Sequence, residues 1–462
     1  METDFFDSVI IGAGQAGSPL AVKLSQRGER VALIESHHLG GTCVNDGCTP
    51  TKTLRKSARV AWLTRRAAEF GVDTGPVTVN FSRAMARMNA RIAGARAGLT
   101  SWIHTHGVDV IRAAGCLSGK NGDRFVIRAG KRTIECNKVF LNTGTRPYIP
   151  PIPGLENTPV LDNRRLLALT ECPTHLIVVG GSYIGLEMAQ IFCRLGTQVT
   201  VIESDEHIAS HEDPDISSML RQMLEDEGIS ILSGAKITRV SGDACRVNVT
   251  LETHSITGSH LFMATGRQPN TENLGLGTIG VETTSQGYIA TNERLETNVP
   301  GIWALGDING RGAFTHTSYH DFGVVADNLA GIARSADDRL MAYAVFTDPP
   351  LGHAGLHRYE AQALANEGRN ILIAEHDMSN ISRAKEESEL TGRIRIIADG
   401  DSGRLLGATV FGLNGDEIIQ VFVHFITTGS HWKHMRDTMP VHPTVAEFIP
   451  TIMEKFIRLG PQ

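Results

Sequence analysis

One arrangement occurs twice in this 462-residue chain and limits the folds open to it. An apolar run, Ser8-Val9-Ile10-Ile11, meets a glycine turn at Gly12, Gly14 and Gly17. A helical stretch follows, then a second apolar run, Val31-Ala32-Leu33-Ile34, ending at Glu35. The same order returns at Ile177-Val178-Val179, Gly180, Ser182 and Gly185, and closes on Val199-Thr200-Val201-Ile202 and Glu203. A single offset aligns all the turn positions and both glutamates. Strand, glycine turn, helix and strand form the β-α-β opening of a dinucleotide-binding fold. The helices are predicted over Ser18–Arg27 and Leu186–Leu195, stopped by Gly28 and Gly196. Two such units predict two nucleotide sites.

Each position in the turn has a physical task. Gly12 permits the tight turn, Gly14 lets the backbone approach a pyrophosphate, and Gly17 lets helix and strand pack closely. The helix N-terminus offers free N–H groups to phosphate, and Glu35 is placed to accept from an adenosine ribose. The second turn keeps Gly180 and Gly185 but carries Ser182 in the middle, which either crowds the phosphate or lends it a hydroxyl. Glu203 bears on cofactor choice, because a carboxylate there binds a free 2′-hydroxyl and repels a 2′-phosphate. The following Ser204-Asp205-Glu206-His207 contains neither Arg nor Lys, so NADH is expected over NADPH.

Proline and glycine set the boundaries. Pro147, Pro150, Pro151, Pro153 and Gly154 form a linker ahead of the second unit; Asn298-Val299-Pro300-Gly301 precede another apolar strand, Ile302–Leu305; Asp348-Pro349-Pro350 mark a later turn. The expected chain is α/β: a nucleotide-binding domain over 1–150, a second over 151–271, a return to the first over 272–342, and a C-terminal α+β domain over 343–462. Strands are predicted there at Arg393–Ala398 and Arg404–Gly412, and helices at Asp416–Thr427 and Val445–Ile457.

Charge and cysteine content narrow the function. With 44 Lys and Arg against 50 Asp and Glu, the chain has no basic excess to offer a nucleic acid. No apolar run approaches the ~20 residues of a membrane helix, and Met1-Glu2-Thr3-Asp4 lacks the basic start of a signal peptide. Seven cysteines make no secreted disulfide scaffold. A reducing cytoplasm is therefore expected, where a disulfide serves chemistry more often than structure. The most specific segment is Gly40-Gly41-Thr42-Cys43-Val44-Asn45-Asp46-Gly47-Cys48-Thr49-Pro50-Thr51-Lys52. Its two cysteines, leading into a helix whose dipole favours a thiolate, can close a small disulfide loop. Half a metal site or two inert core cysteines are the other readings of the spacing. No second Cys pair or His cluster supplies further ligands, so no metal is expected. Cys116, Cys136, Cys172, Cys193 and Cys245 read as structural, and Arg83, Arg87, Arg91 and Arg96 as a solvated helix face.

The Cys43–Lys52 segment resembles the redox-active disulfide motif of the class I flavoprotein disulfide reductases, which include glutathione reductase, dihydrolipoamide dehydrogenase and mercuric reductase. The resemblance runs over essentially the whole chain. Asn142-Thr143-Gly144 and Ala264-Thr265-Gly266-Arg267 resemble the family's two A-T-G strand ends, with Asn142 replacing the usual Ala. Ala304-Leu305-Gly306-Asp307 resembles its second FAD motif, and His442-Pro443-Thr444-Val445-Ala446-Glu447 its H-P-T-x-x-E signature. The resemblance implies FAD held by Gly12, Gly14, Gly17, Glu35, Gly41, Thr42, Lys52, Thr143, Gly144, Gly306 and Asp307. The nicotinamide nucleotide would be held by Gly180, Gly185, Glu203 and Gly266. Cys48 would face the flavin, and Cys43 would exchange with substrate. Lys52, with Glu187 as partner, would stand by the flavin ring, and Tyr183 would gate the nicotinamide pocket. His442, held by Glu447, would be the acid/base, supplied across a homodimer to the partner subunit's site. The implied reaction relays electrons between NAD(P)H and a small disulfide or dithiol, as dihydrolipoyl dehydrogenases do. A mercuric-reductase-like acceptor is the alternative; a redox-inert binding protein on the same fold is the third. No named subfamily fits fully: Met439-Pro440-Val441-His442 most resembles mercuric-reductase-like proteins, Pro440 stands where dihydrolipoamide dehydrogenases usually carry a second His, and Glu203 argues against the NADPH habit of glutathione reductases.

Overall fold

Apolar runs such as Val9-Ile10-Ile11 and Val31-Ala32-Leu33-Ile34 are almost fully buried, as strands covered on both faces must be. They pair in parallel, Ser8 opposite Val31 and Ile11 opposite Ile34. In the computed structural model, which describes residues 4–460, they form the centre of a seven-stranded sheet. Its order is Asp109–Arg112, Val31–Glu35, Asp4–Ile11, Arg132–Leu141, Arg124–Ala129, Gly115–Asn121. The long strand Arg132–Leu141 pairs antiparallel with Arg124–Ala129 through its first half and parallel with Ile302–Ala304 through its last residues. Chain far downstream of the second glycine turn thereby returns to the first sheet.

The repeat builds a second, four-stranded parallel sheet in the order Ser230–Leu232, Gln198–Ile202, His175–Val179, His260–Met263. A three-stranded antiparallel sheet, Ile237–Gly242, Val247–Leu251 and Ser255–Gly258, lies against it. The C-terminal segment makes a six-stranded antiparallel sheet: Ala342–Val345, Leu351–Gly355, Leu405–Phe411, Arg393–Asp399, Ile371–Asp377, Ile457–Arg458.

Helix Gly17–Gln26 ends two residues before Gly28, and helix Tyr183–Leu195 is capped by Gly196; both glycines have positive φ. The cysteine segment opens helix Cys48–Arg65. One face of it packs on helix Phe81–Thr105 and another on helix Tyr183–Leu195, through Leu54, Ala58, Met85, Met88 and Phe192. That helix thus joins the two nucleotide-binding units. The last helix is shorter than expected, Phe448–Met453 rather than Val445–Ile457, because Ile457 and Arg458 leave it to pair with Ile373 and Leu372. Among the described residues no helix is long and apolar enough to cross a membrane.

Candidate active site around a cysteine pair

Close backbone approach explains the glycines. A Cβ on Gly12, whose φ is +103°, would lie 2.2 Å from the Asn142 carbonyl oxygen, and one on Gly17 would lie 2.2 Å from that of Gly12. In the repeat, Gly180 faces the Ala264 carbonyl at 2.4 Å and Gly185 that of Gly180 at 2.0 Å. The two departures from the glycine pattern answer one another. Asn142 Oδ1 accepts from Gly17 N at 2.9 Å and its Nδ2 donates to Leu305 O at 2.7 Å, tying the turn to the returning strand. That amide would stand 2.8 Å from a Cβ on Gly14, so glycine is required. Ala264 occupies the equivalent place in the repeat and has no amide, which leaves room for Ser182. The serine takes an extended conformation ahead of its helix without a capping hydrogen bond. Both glutamates are oriented alike: Glu35 accepts from Ala13 N and His37 N, Glu203 from Gly181 N and Asp205 N.

Thr143 Oγ1 donates to Asn270 O, and Gly144 and Gly266 have positive φ at the two strand ends. Asp307 is half-buried, and its loss of solvation raises its carboxyl above the ordinary range against the pull of Arg267; it accepts from Thr145 Oγ1 at 3.0 Å. Gly306 N donates to Asp321. A backbone cradle that any Cβ would fill, a helix beginning beside it, Glu35, and a half-buried carboxylate with acceptor capacity to spare make a fit for FAD.

The cysteine loop lies against this cradle: a Cβ on Gly41 would come 3.0 Å from Gly14 Cα. Thr42 holds the loop's return through its carbonyl, which accepts from Asp46 N at 2.8 Å. The Cys43 and Cys48 thiols hydrogen-bond to one another. Cys48 receives that bond, which brings its thiol down to about 6; Thr315, 3.3 Å from its sulfur, and Lys52 reinforce the effect against burial. Cys43, the donor and half-buried, is pushed up. One turn along, Lys52 Nζ meets Glu187 Oε2 at 2.8 Å and lies 4.2 Å from the Phe346 ring centre. The other Glu187 oxygen accepts from Phe346 N. Tyr183 starts the helix that carries Glu187, and its ring leans on Phe314 at 5.8 Å, next to Thr315. Cys43, Cys48, Lys52, Glu187 and Tyr183 thus gather in one place. His442 does not join them within a chain. Its Nδ1 pairs with Glu447 at 2.8 Å, its side chain is 77% exposed, and among the described residues no contact links it to either sulfur.

Several participants carry no sequence signal. Thr315 and Phe346 reach the site from distant segments. Arg96 is a correction: it is not merely solvated but donates to Asn45 inside the cysteine loop, and Arg87 likewise donates to Thr53 O. Cys136 is buried as a structural cysteine should be, whereas Cys245 is exposed in a turn. Glu212, His353 and His357 lie close enough to suggest a metal site. They gather instead about the Tyr343 hydroxyl, which donates to Glu212 at 2.6 Å and meets His357 Nε2 at 3.2 Å. Both His353 nitrogens are engaged by Thr409 and Gly355 O, and its ring is stacked parallel on His357 at 3.6 Å, so the two lone pairs do not converge.

Comparison with known proteins agrees with this geometry. Residues 6–321 match the pyridine nucleotide-disulphide oxidoreductase family, and residues 341–453 its dimerisation domain. The chain is 34% identical over 448 residues to the probable pyridine nucleotide-disulfide oxidoreductase RclA of Escherichia coli, covering 96% of this chain and 97% of that one. It is 31% identical to a dihydrolipoyl dehydrogenase of Chlamydia muridarum, covering 96% and 95% of the two chains. Among solved structures, a Cu(II) complex of the HOCl-induced flavoprotein disulfide reductase RclA from Escherichia coli superposes with a TM-score of 0.88 at 32% identity, over 98% of this chain and 99% of that one. The chain belongs to the class I pyridine nucleotide-disulfide oxidoreductases.

Proposed function

We propose that this enzyme relays electrons between NADH and a small disulfide or dithiol of the dihydrolipoyl type through Cys43 and Cys48. The observation carrying this reading is the Cys43 and Cys48 pair gathered beside the Lys52–Glu187 bridge and Thr315, in a loop lying against the Gly14 turn of the FAD cradle. Bound FAD supplies the two-electron step between nicotinamide and sulfur. The chain's own residues do the rest. Cys48 keeps its negative charge against the ring site. Lys52, fixed by Glu187, presents its ammonium group there, and Tyr183 covers the nicotinamide position. Cys43 exchanges with substrate once its proton is taken, and a His near neutrality suits that transfer. His442, oriented by Glu447, fills this role for the partner's sulfur pair. Glu203 favours NADH, since its carboxylate repels a 2′-phosphate. The divisions 1–150, 151–271, 272–342 and 343–462 are proposed as the domains, and the cytoplasm as the compartment.

A metal ion is the second acceptor considered, favoured by the likeness to the Cu(II)-bound reductase. The test is a panel of oxidised lipoamide, glutathione disulfide, Cu(II) and Hg(II), each run with NADH and with NADPH on FAD-loaded protein. Faster turnover of the disulfides with NADH, abolished in Cys43→Ser and Cys48→Ser, is expected. Metal turnover alone would favour the second reading. No NADH-dependent thiol formation at all would leave a redox-inert binding protein.

A further inference from the structure

The loop between the two cysteines is tied from outside on both flanks. Asn45, midway between them, is buried; its Nδ2 donates to Gly41 O at 2.7 Å and to Leu39 O at 3.1 Å, and its Oδ1 accepts from Arg96 Nε. Arg96 comes from helix Phe81–Thr105, and this is its bond to the loop. On the other flank Asn163 Nδ2 donates to the Asp46 carbonyl at 2.7 Å, and Arg164 Nε meets Asp46 Oδ2 at 2.9 Å. Asn163 and Arg164 lie in the helical turn Asn163–Leu166, which leads into the second nucleotide-binding unit. Asn163 is itself buried, and its Oδ1 has no partner. A side chain placed so that one of its polar atoms goes unpaired while the other holds the Asp46 carbonyl is fixed by that bond more than by its own burial.

We propose that Arg96 and Asn163 are positioning residues for the Cys43–Cys48 pair, holding the loop so that the two sulfurs stay at closing distance and the disulfide is favoured. This rests on the reading that the pair is redox-active. A disulfide constrains its own loop, so external ties add little order to the oxidised state. The dithiol has no such constraint, and the ties remove freedom it would otherwise have, which raises the effective concentration of one sulfur at the other. Cutting a tie therefore stabilises the dithiol relative to the disulfide. Loss of the Arg96 charge acts in the opposite sense, because a cation favours thiolates. Arg96 is not among the groups that shift either thiol, so the slack should prevail.

The test is a redox titration of FAD-loaded protein in dithiothreitol buffers, scoring protein thiols by alkylation. Oxidised dithiothreitol takes two electrons and two protons as the protein disulfide forms. In Arg96→Met the dithiol should be favoured by about tenfold, a midpoint about 30 mV more positive for a two-electron couple. Arg96→Lys, which keeps a donor, should recover most of the wild-type value. Arg91→Met on the exposed face of the same helix should leave it unchanged. Asn163→Ala removes the unpaired buried oxygen but also strands the Asp46 carbonyl, so it should fold with some loss of stability and shift the midpoint in the same direction. A midpoint unmoved or more negative in Arg96→Met and Asn163→Ala overturns the ties while leaving the relay intact. A wild-type pair that never closes overturns both.

Discussion

Cys48 illustrates how much one hydrogen bond decides at the residue scale. Two adjacent thiols cannot both ionise cheaply, so the one that receives the bond becomes the thiolate. Alkylation of the reduced protein should show an inflection near pH 6, a property of the pair rather than of one sulfur. In Lys52→Met the inflection should move to higher pH and alkylation at pH 6 should slow severalfold, because a neighbouring cation is lost. An inflection that stays put would remove Lys52 from the set of groups acting on Cys48. Asn142 makes a second case. Asn142→Ala strands the buried Gly17 N–H and Leu305 C=O, at a cost of about 2–4 kcal/mol in urea unfolding. Ser182→Gly, which touches no such bond, should stay within about 0.5 kcal/mol of the parent.

At the scale of elements, what could be read from the sequence was what is local. The β-α-β units follow from periodicity and glycine spacing within some thirty residues, and both sheets form on those strands. The proximity of Lys52 to Glu187 came through motif resemblance, not spacing. Thr315 and Phe346 carry no periodic mark, and the helical spacing of Arg96 does not say what it meets, because these contacts are set by how whole elements pack. The final helix was overextended for the same reason: pairing of Ile457 with Ile373 outbid its local propensity. The Tyr343–Glu212 contact joins segments 131 residues apart and has a consequence for pH. Burial pushes the Glu212 carboxyl up to about 7, against the hydrogen bond from Tyr343. The folded protein then keeps a proton that the unfolded chain releases near its ordinary 4.5, so stability falls as pH rises between these values. The slope is up to about 1.4 kcal/mol per pH unit. Glu212→Gln should flatten that part of the stability–pH curve, measured by urea midpoint from pH 4.5 to 8. An unchanged slope would show that Glu212 ionises normally.

For the whole molecule, the decisive fact is where His442 is not. The imidazole is paired to Glu447 and open to solvent, with Met439 and Val441 exposed beside it at 95% and 76%. A His left so bare, flanked by apolar side chains in a segment that matches a dimerisation domain, suits a residue meant for another subunit's sulfur pair. In a two-fold dimer each site would then take its cysteines from one chain and its His from the other. Cys43→Ser and His442→Ala homodimers should both be inactive. Co-expressed, they form hybrids in which one site pairs both defects and the other pairs an intact Cys43 with an intact His442. Random assembly makes about half the dimers hybrid, so about one quarter of wild-type activity should return. Were His442 to act within its own chain, every site in every hybrid would carry one defect, and no activity would return at any mixing ratio.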